Sequence, residues 1–504
     1  MKYNLLLISL LLFSNAGAIE PEAIRKAVEQ HRQPALAFYR EFLSLPNVAG
    51  EPADIERLLD WLEPAFETRG FAVRRLPTAG SDVLYAERIV PESPTTLLVY
   101  LQADGQPVDP SAWDQADPFV PVLKAPDGEG GYRELPWSAA ETGYQPDWRV
   151  FARSASDSKG PMAQFLLAVE LLDAAGFRPD YSLKVIVDTE EELGSPHLAA
   201  AVVEHRDLLA ADGLLIFDGP PHASNRPTVS FGARGLLALT LTTYGPRVAQ
   251  HSGHYGNFMP NPGFDLARIL ASMKGPDGVV TIDGFYDGVE IDAATAAVLE
   301  SVPDDEAAIL GDAWLGRSEQ VAGSLQASLQ YPSLNIRGLG SAWIGGQVRT
   351  IIPPEATAEI DIRLVKESDW QRLLGLVRKH IESLGYTVLD HRPGQEERLS
   401  PDRVVTLTWD FSYNAFRSPY DSRVGRMARS GLERLYGEPP VLIRTMGGSI
   451  PIAPIVEALD IPAAIVPSVN IDNNQHSPNE NLELGSFYDG IARLMAVLAE
   501  TPPD

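Results

Sequence analysis

Apolar residues recur along this chain in two rhythms, and the change between them divides it. Near the N-terminus Ala27, Val28, Leu36, Tyr39, Phe42 and Leu43 fall at helical spacing, as do Leu58, Leu59, Leu62 and Phe66, which predicts two helices between residues 21 and 68. Mostly apolar runs at 96–101, 183–187 and 214–217 predict short buried strands, with helices over 161–175 and 197–205 between them. That alternation predicts an α/β fold around a parallel or mixed sheet covered on both faces. After Gly235 the rhythm becomes alternating, at 236–243 and again at 358–365, where Ile360, Ile362 and Leu364 share one face. With helices over 264–273 and 370–384, this predicts a separate α+β domain whose antiparallel sheet is exposed on one side. The first rhythm returns with helices over 424–436 and 451–459, a strand at 463–466 and a final helix near 487–498. The second domain is therefore expected as an insertion: residues 19–230 and 401–504 form one domain, and 231–400 the domain between. The Pro- and Gly-rich segment 105–146 reads as long loops.

Residues 1–18 stand apart. Lys2, an apolar stretch at 5–13 and the small residues Ala16-Gly17-Ala18 make a signal peptide, so the protein is expected to be secreted or periplasmic. No stretch approaches the roughly 20 apolar residues of a membrane span. The chain has no Cys, so export does not rely on disulfides. A formal net charge of −27 argues against nucleic acid or anionic membrane as a partner.

Ligand sites in α/β sheets gather at the carboxyl ends of strands, and here those ends carry Asp104, Glu190-Glu191-Glu192 and Asp218. Three consecutive acids usually mark a solvated face, but these close a buried strand, where charge is costly unless paired or metal-bound. Asp157, just before a helix, reads equally well as an N-cap. Asp218, before Gly-Pro-Pro, could merely start a turn, and His476 alone is an ordinary loop His. Taken together, acids and an imidazole at strand ends are the donor set of a metal-dependent hydrolase.

These residues also resemble a known family, the dinuclear zinc peptidases that include carnosinases, aminoacylases, glutamate carboxypeptidases and succinyl-diaminopimelate desuccinylase. The resemblance rests on Gln102-Ala-Asp-Gly-Gln-Pro-Val-Asp109, Arg153 to Gly160, Glu190 to Ser195, Phe217-Asp218, His251-Ser-Gly253, Gly447-Gly-Ser449 and His476-Ser-Pro478. It implies a mixed-sheet metallopeptidase catalytic domain with an inserted α+β lid and dimerisation domain. Asp157 would bridge two divalent ions, zinc first and manganese as the alternative. Glu192 and His476 would complete one site, and Asp218 with residue 102 the other. Glu191 would be the general base, Asp104 would orient residue 102, and a cis peptide would follow Asp157. In the inserted domain His251 would stabilise the oxyanion in a partner subunit's site. Arg363 would bind a substrate carboxylate, with Thr350, Gly448 and Ser449 at the same substrate. A small peptide or acyl-amino-acid substrate and a homodimer are implied.

One position departs from the family pattern, which has His where this chain has Gln102. An amide oxygen is a weaker zinc ligand than imidazole, so the site containing Asp218 is expected to be loose and the Asp157/Glu192/His476 site ordinary. Three readings follow: a dipeptidase or carboxypeptidase, an N-acyl amino acid deacylase, or a degenerate member that binds peptides without turnover. Retention of Glu191 favours an enzyme.

Overall fold

The computed structural model describes residues 19–502, so the expected signal peptide lies outside the described residues. The chain forms two compact units, one from residues up to Val229 with Asp421–Pro440 and Ile465 onward, the other from Ser230–Tyr420 with Val441–Ala464. No helix among the described residues is long and apolar enough to cross a membrane.

In the first unit the strands Ala72–Leu76, Val83–Arg88, Ser182–Asp188, Thr96–Gln102 and Gly213–Ile216 lie side by side in that order. The first two junctions are antiparallel and the next two parallel, a mixed sheet as the apolar runs predicted. Parallel pairing sets Gln102 opposite Asp188, so both residues end at the same edge. The helix Lys159–Ala174 is buried almost all round and packs on the C-terminal helix Leu484–Leu498. Such a helix has no solvent face and reads as core. The N-terminal region holds three helices instead of two, Pro21–Gln30, Arg32–Leu43 and Pro52–Glu67. The first two separate at His31, which leaves helical geometry at φ −102°, ψ 7°.

Segment 105–146 is not simply loop. Val122–Pro126 and Tyr132–Leu135 form a hairpin that continues through Arg149–Phe151 to Asn481–Glu483, making a four-stranded antiparallel sheet. Its strands are only three to five residues long, too short to show a rhythm. Its consequence is positional, because it holds the chain before Asp157 beside the chain after His476.

The second unit is a five-stranded sheet in the order Ser333–Gly340, Glu355–Leu364, Gly235–Tyr244, Arg403–Tyr413 and Tyr386–Leu389. Glu355–Leu364 alternates buried with half-buried along its whole length. Its inward residues pack with the helices Pro262–Met273 and Trp370–Ser383 in one core. The expected boundary at residue 400 is corrected here. Arg403–Tyr413 pairs along Gly235–Tyr244, with Leu407 opposite Leu241 and Val405 opposite Thr243. Backbone hydrogen bonding therefore carries this unit on to Tyr420, and Val441–Ala464 belongs with it too.

Candidate metal centre

Three loops bring the acids and His476 together, two of them fixed by buried carboxylates and the third by a buried amide. Asp157 follows the turn after Arg149–Phe151, and the Asp157–Ser158 peptide is cis, as the resemblance implied. The backbone N–H groups of Ser154, Ser156 and Asp157 all donate to Glu480, at 2.8, 2.8 and 2.9 Å. Arg153 pairs with the same carboxylate at 2.8 Å, and both side chains are fully enclosed. The acid triplet begins just beyond Ser182–Asp188. Asp104 accepts from the N–H groups of Glu191 and Glu192 at 3.1 and 3.0 Å, and Asp188 accepts from that of Glu190 at 3.0 Å. Asp104 was expected to orient residue 102; its hydrogen bonds instead hold the backbone of Glu191 and Glu192. The third loop carries His476 at φ +58°, a conformation uncommon outside glycine. Asn473 holds it by accepting from the Gln475 N–H at 2.9 Å.

His476 Nε2 lies 3.0 Å from Asp157 Oδ2 and 3.3 Å from Glu192 Oε2. Asp157, Glu192 and His476 each offer a ligand atom, all within 4.8 Å of one another, and among the described residues this is the only such group of acids and His. The hydrogen bond to Asp157 raises the His476 pKa, with Glu192 adding to it. Burial and then the Asp157 charge raise the Glu192 and Asp218 carboxyls. Glu191 is held well above the usual carboxylate range by burial, followed by Asp157, Asp218 and Glu192. Four acids thus crowd one imidazole, an excess of negative charge that a divalent cation offsets. Two carboxylate oxygens and one imidazole nitrogen suit zinc or manganese. The first expected site fits a metal.

The second does not fit equally well. Gln102, buried at the end of its strand, donates from Nε2 to Asp157 Oδ1 at 2.8 Å. Ser158 Oγ donates to the same oxygen at 3.2 Å and to Asp218 Oδ1 at 2.7 Å. Gln102 and Asp218 do reach the cluster, but Gln102 has only a neutral amide oxygen to offer where the family pattern has an imidazole.

In the other unit the sequence candidates fall into two local groups. Arg363 Nη1 donates to Ser449 Oγ at 2.6 Å, with Asp361 3.6 Å from its Nε, and Gly448 accepts from the Arg234 N–H at 3.3 Å. His251 begins the short helix Ser252–Tyr255, is exposed, and accepts on Nδ1 from the Gly253 N–H at 3.0 Å. The next N–H, of Ser252, donates to the Thr350 carbonyl at 3.0 Å, so His251 and Thr350 lie side by side on two paired segments. Glu480, Asp188, Arg234 and Gln106 were missed. Gln106 donates to Glu192 Oε2 at 2.8 Å, and only its place in the Gln102–Asp109 motif could have flagged it.

A model of peptidase family M20/M25/M40 matches residues 122–500. The chain belongs to this family. It is 27% identical over 411 residues to the Cys-Gly metallodipeptidase dug1 of Schizosaccharomyces pombe, covering 79% of this chain and 78% of that one. The Beta-Ala-His dipeptidase of Homo sapiens is 24% identical over 363 residues, 70% of this chain and 69% of the other. Among solved structures, the M20 family metallo-carboxypeptidase Sso-CP2 of Sulfolobus solfataricus superposes with a TM-score of 0.74 at 26% identity, covering 92% of this chain and 98% of that one. Human carnosine dipeptidase 1 gives a TM-score of 0.71 at 21% identity, covering 95% and 98%, a likeness of fold. As an M20 member this chain is a metal-dependent peptidase, and the expected mixed α/β fold is the family's.

Proposed function

We propose that this M20 peptidase is exported and hydrolyses dipeptides or C-terminal peptide bonds, with Glu191 as its general base. The observation that carries the reading is Glu191 itself, fixed through its backbone to Asp104 at 3.1 Å beside the Asp157/Glu192/His476 group. Burial and four neighbouring acids raise its affinity for a proton, which suits a group that must take one from water. A divalent ion held by Asp157, Glu192 and His476, zinc in this reading, supplies Lewis-acid polarisation of the scissile carbonyl and acidification of water. Glu191 takes the proton from the attacking water on a carboxylate oxygen and passes it to the leaving amine. Asp104 and Glu480 keep the base and Asp157 in register. On the inserted unit Arg363, seated on Ser449, takes the substrate's carboxylate through its guanidinium fork. Thr350, Gly448 and Ser449 complete that contact, and His251 serves the oxyanion of a partner subunit in a homodimer. Relatives named for Cys-Gly and β-Ala-His support a dipeptide over an N-acyl amino acid.

The test is a dipeptide panel with metal-loaded protein and the Glu191→Gln variant. Glu191→Gln is expected to lower kcat by ~10²-fold or more with the metal content unchanged. Undiminished turnover would remove Glu191 from the mechanism, and a wild type inactive on every dipeptide would end the substrate reading. Export is checked by N-terminal sequencing of secreted protein, which should begin at Ile19.

A further inference from the structure

We infer that this chain binds one divalent ion tightly, at Asp157 Oδ2, Glu192 and His476, and that the neighbouring position is bridged by hydrogen bonds instead of a second ion. The inference rests on the peptidase reading and sharpens it. Its starting point is that the two oxygens of Asp157 face different company. Oδ2 meets His476 Nε2 at 3.0 Å, a nitrogen that can turn a lone pair to a cation. Oδ1 meets two donors, Gln102 Nε2 at 2.8 Å and Ser158 Oγ at 3.2 Å. Ser158 Oγ also reaches Asp218 Oδ1 at 2.7 Å. The result is a chain of contacts, Gln102 to Asp157 to Ser158 to Asp218, that ties both carboxylates through neutral groups.

For a second ion to bind, Gln102 must turn its amide over. The charge-assisted bond from Nε2 to Asp157 Oδ1 would then be lost. Gln102 is only 4% exposed, so water is poorly placed to replace that bond. A turned amide would still be a poor substitute for imidazole, because a neutral amide oxygen is a weaker zinc ligand. Removing a group that merely orients a ligand weakens metal binding ~10–100-fold, so a missing imidazole ligand should weaken the second ion by at least about 100-fold relative to the first.

The experiment is a metal count on the mature full-length protein, stripped and reloaded with Zn²⁺ or with Mn²⁺. Native mass spectrometry gives the stoichiometry, and competition with a chromophoric chelator gives the two affinities. One tight ion per chain, with any second at least ~100-fold weaker, is the expected result. Two ions of similar affinity in the wild type would overturn the inference, while dipeptide hydrolysis would still leave the peptidase reading intact. One tight ion without hydrolysis of any peptide would do the reverse. No tight ion at all would overturn both. Gln102→His should gain a second tight ion, seen as added mass. A folded Gln102→His protein that stays at one would show that Gln102 is not what excludes the second. Should that variant fail to fold, the wild-type count decides alone.

Discussion

The metal centre of the first unit and the Arg363 face of the inserted unit hold their charges in opposite ways. Around the metal centre each acid is fixed by backbone or side-chain donors. Glu480 gathers three N–H groups and Arg153, and Asp104 gathers two N–H groups. Arg363 instead stands on the half-buried face of an otherwise regular strand, its side chain 34% exposed, with Ser449 and Asp361 as neighbours. The difference follows from what each must do. Like charges that converge on a cation repel one another until it arrives, so their geometry has to be enforced from outside. Arg363, in its proposed role of awaiting a carboxylate, has one like charge near it, that of Arg234, and not a converging cluster, so it needs little beyond an open face.

The largest expected effect comes from breaking the enforcement. Glu480→Gln leaves the buried Arg153 guanidinium without its carboxylate, and removing one partner of a buried pair costs about 3–5 kcal/mol. The same change frees the loop before Asp157, so zinc affinity should fall ~10–100-fold, as when an outer partner of a ligand is lost. Chemical denaturation and chelator competition read the two effects separately. Unchanged stability and affinity would mean that the loop is held by something else, and the contrast between the units would collapse.

A change of similar size in the other unit should behave differently. Ile360 is fully buried in the core under the inserted sheet, opposite Leu239 and in one cluster with Leu241 and Leu373. Ile360→Ala should cost about 2–5 kcal/mol of stability while zinc affinity stays where it was. A parallel loss of metal binding would show that the two units share their rigidity.

Much of this contrast is visible in the chain before any coordinates. Apolar runs ending in acids located Gln102, Glu190 to Glu192 and Asp218, because buried parallel strands leave no other signature. The alternation at 358–365 located the inserted sheet and placed Arg363 on its polar side. What was not legible has a physical reason in each case. Of the strand Arg403–Tyr413 only Val405, Thr406 and Leu407 are buried, so its rhythm is too weak to move the boundary past 400. The hairpin within 105–146 mixes Lys124 among its buried residues, where the side chain lies 4.5 Å from the Phe151 ring, and so reads as loop. Glu480 looks like one more acid after His476, since its partner Ser156 lies 324 residues away. Long-range polar clamps leave no local pattern.

Arg363 gives the smallest and most selective prediction. A hydrogen bond to a charged partner contributes about 1.5–3 kcal/mol. Arg363→Ala should therefore raise KM for free dipeptides roughly 10- to 100-fold, with metal content and melting temperature unchanged. The discriminating substrate is a peptide with an amidated C-terminus, which has no carboxylate to lose. Its kcat/KM should be nearly the same in wild type and variant. Equal penalties on the free and amidated peptides would mean that Arg363 acts by holding Ser449 and the loop around Gly448, not by meeting the substrate. It would then belong with Glu480 among the residues that enforce geometry, and the two units would differ less than their burial suggests.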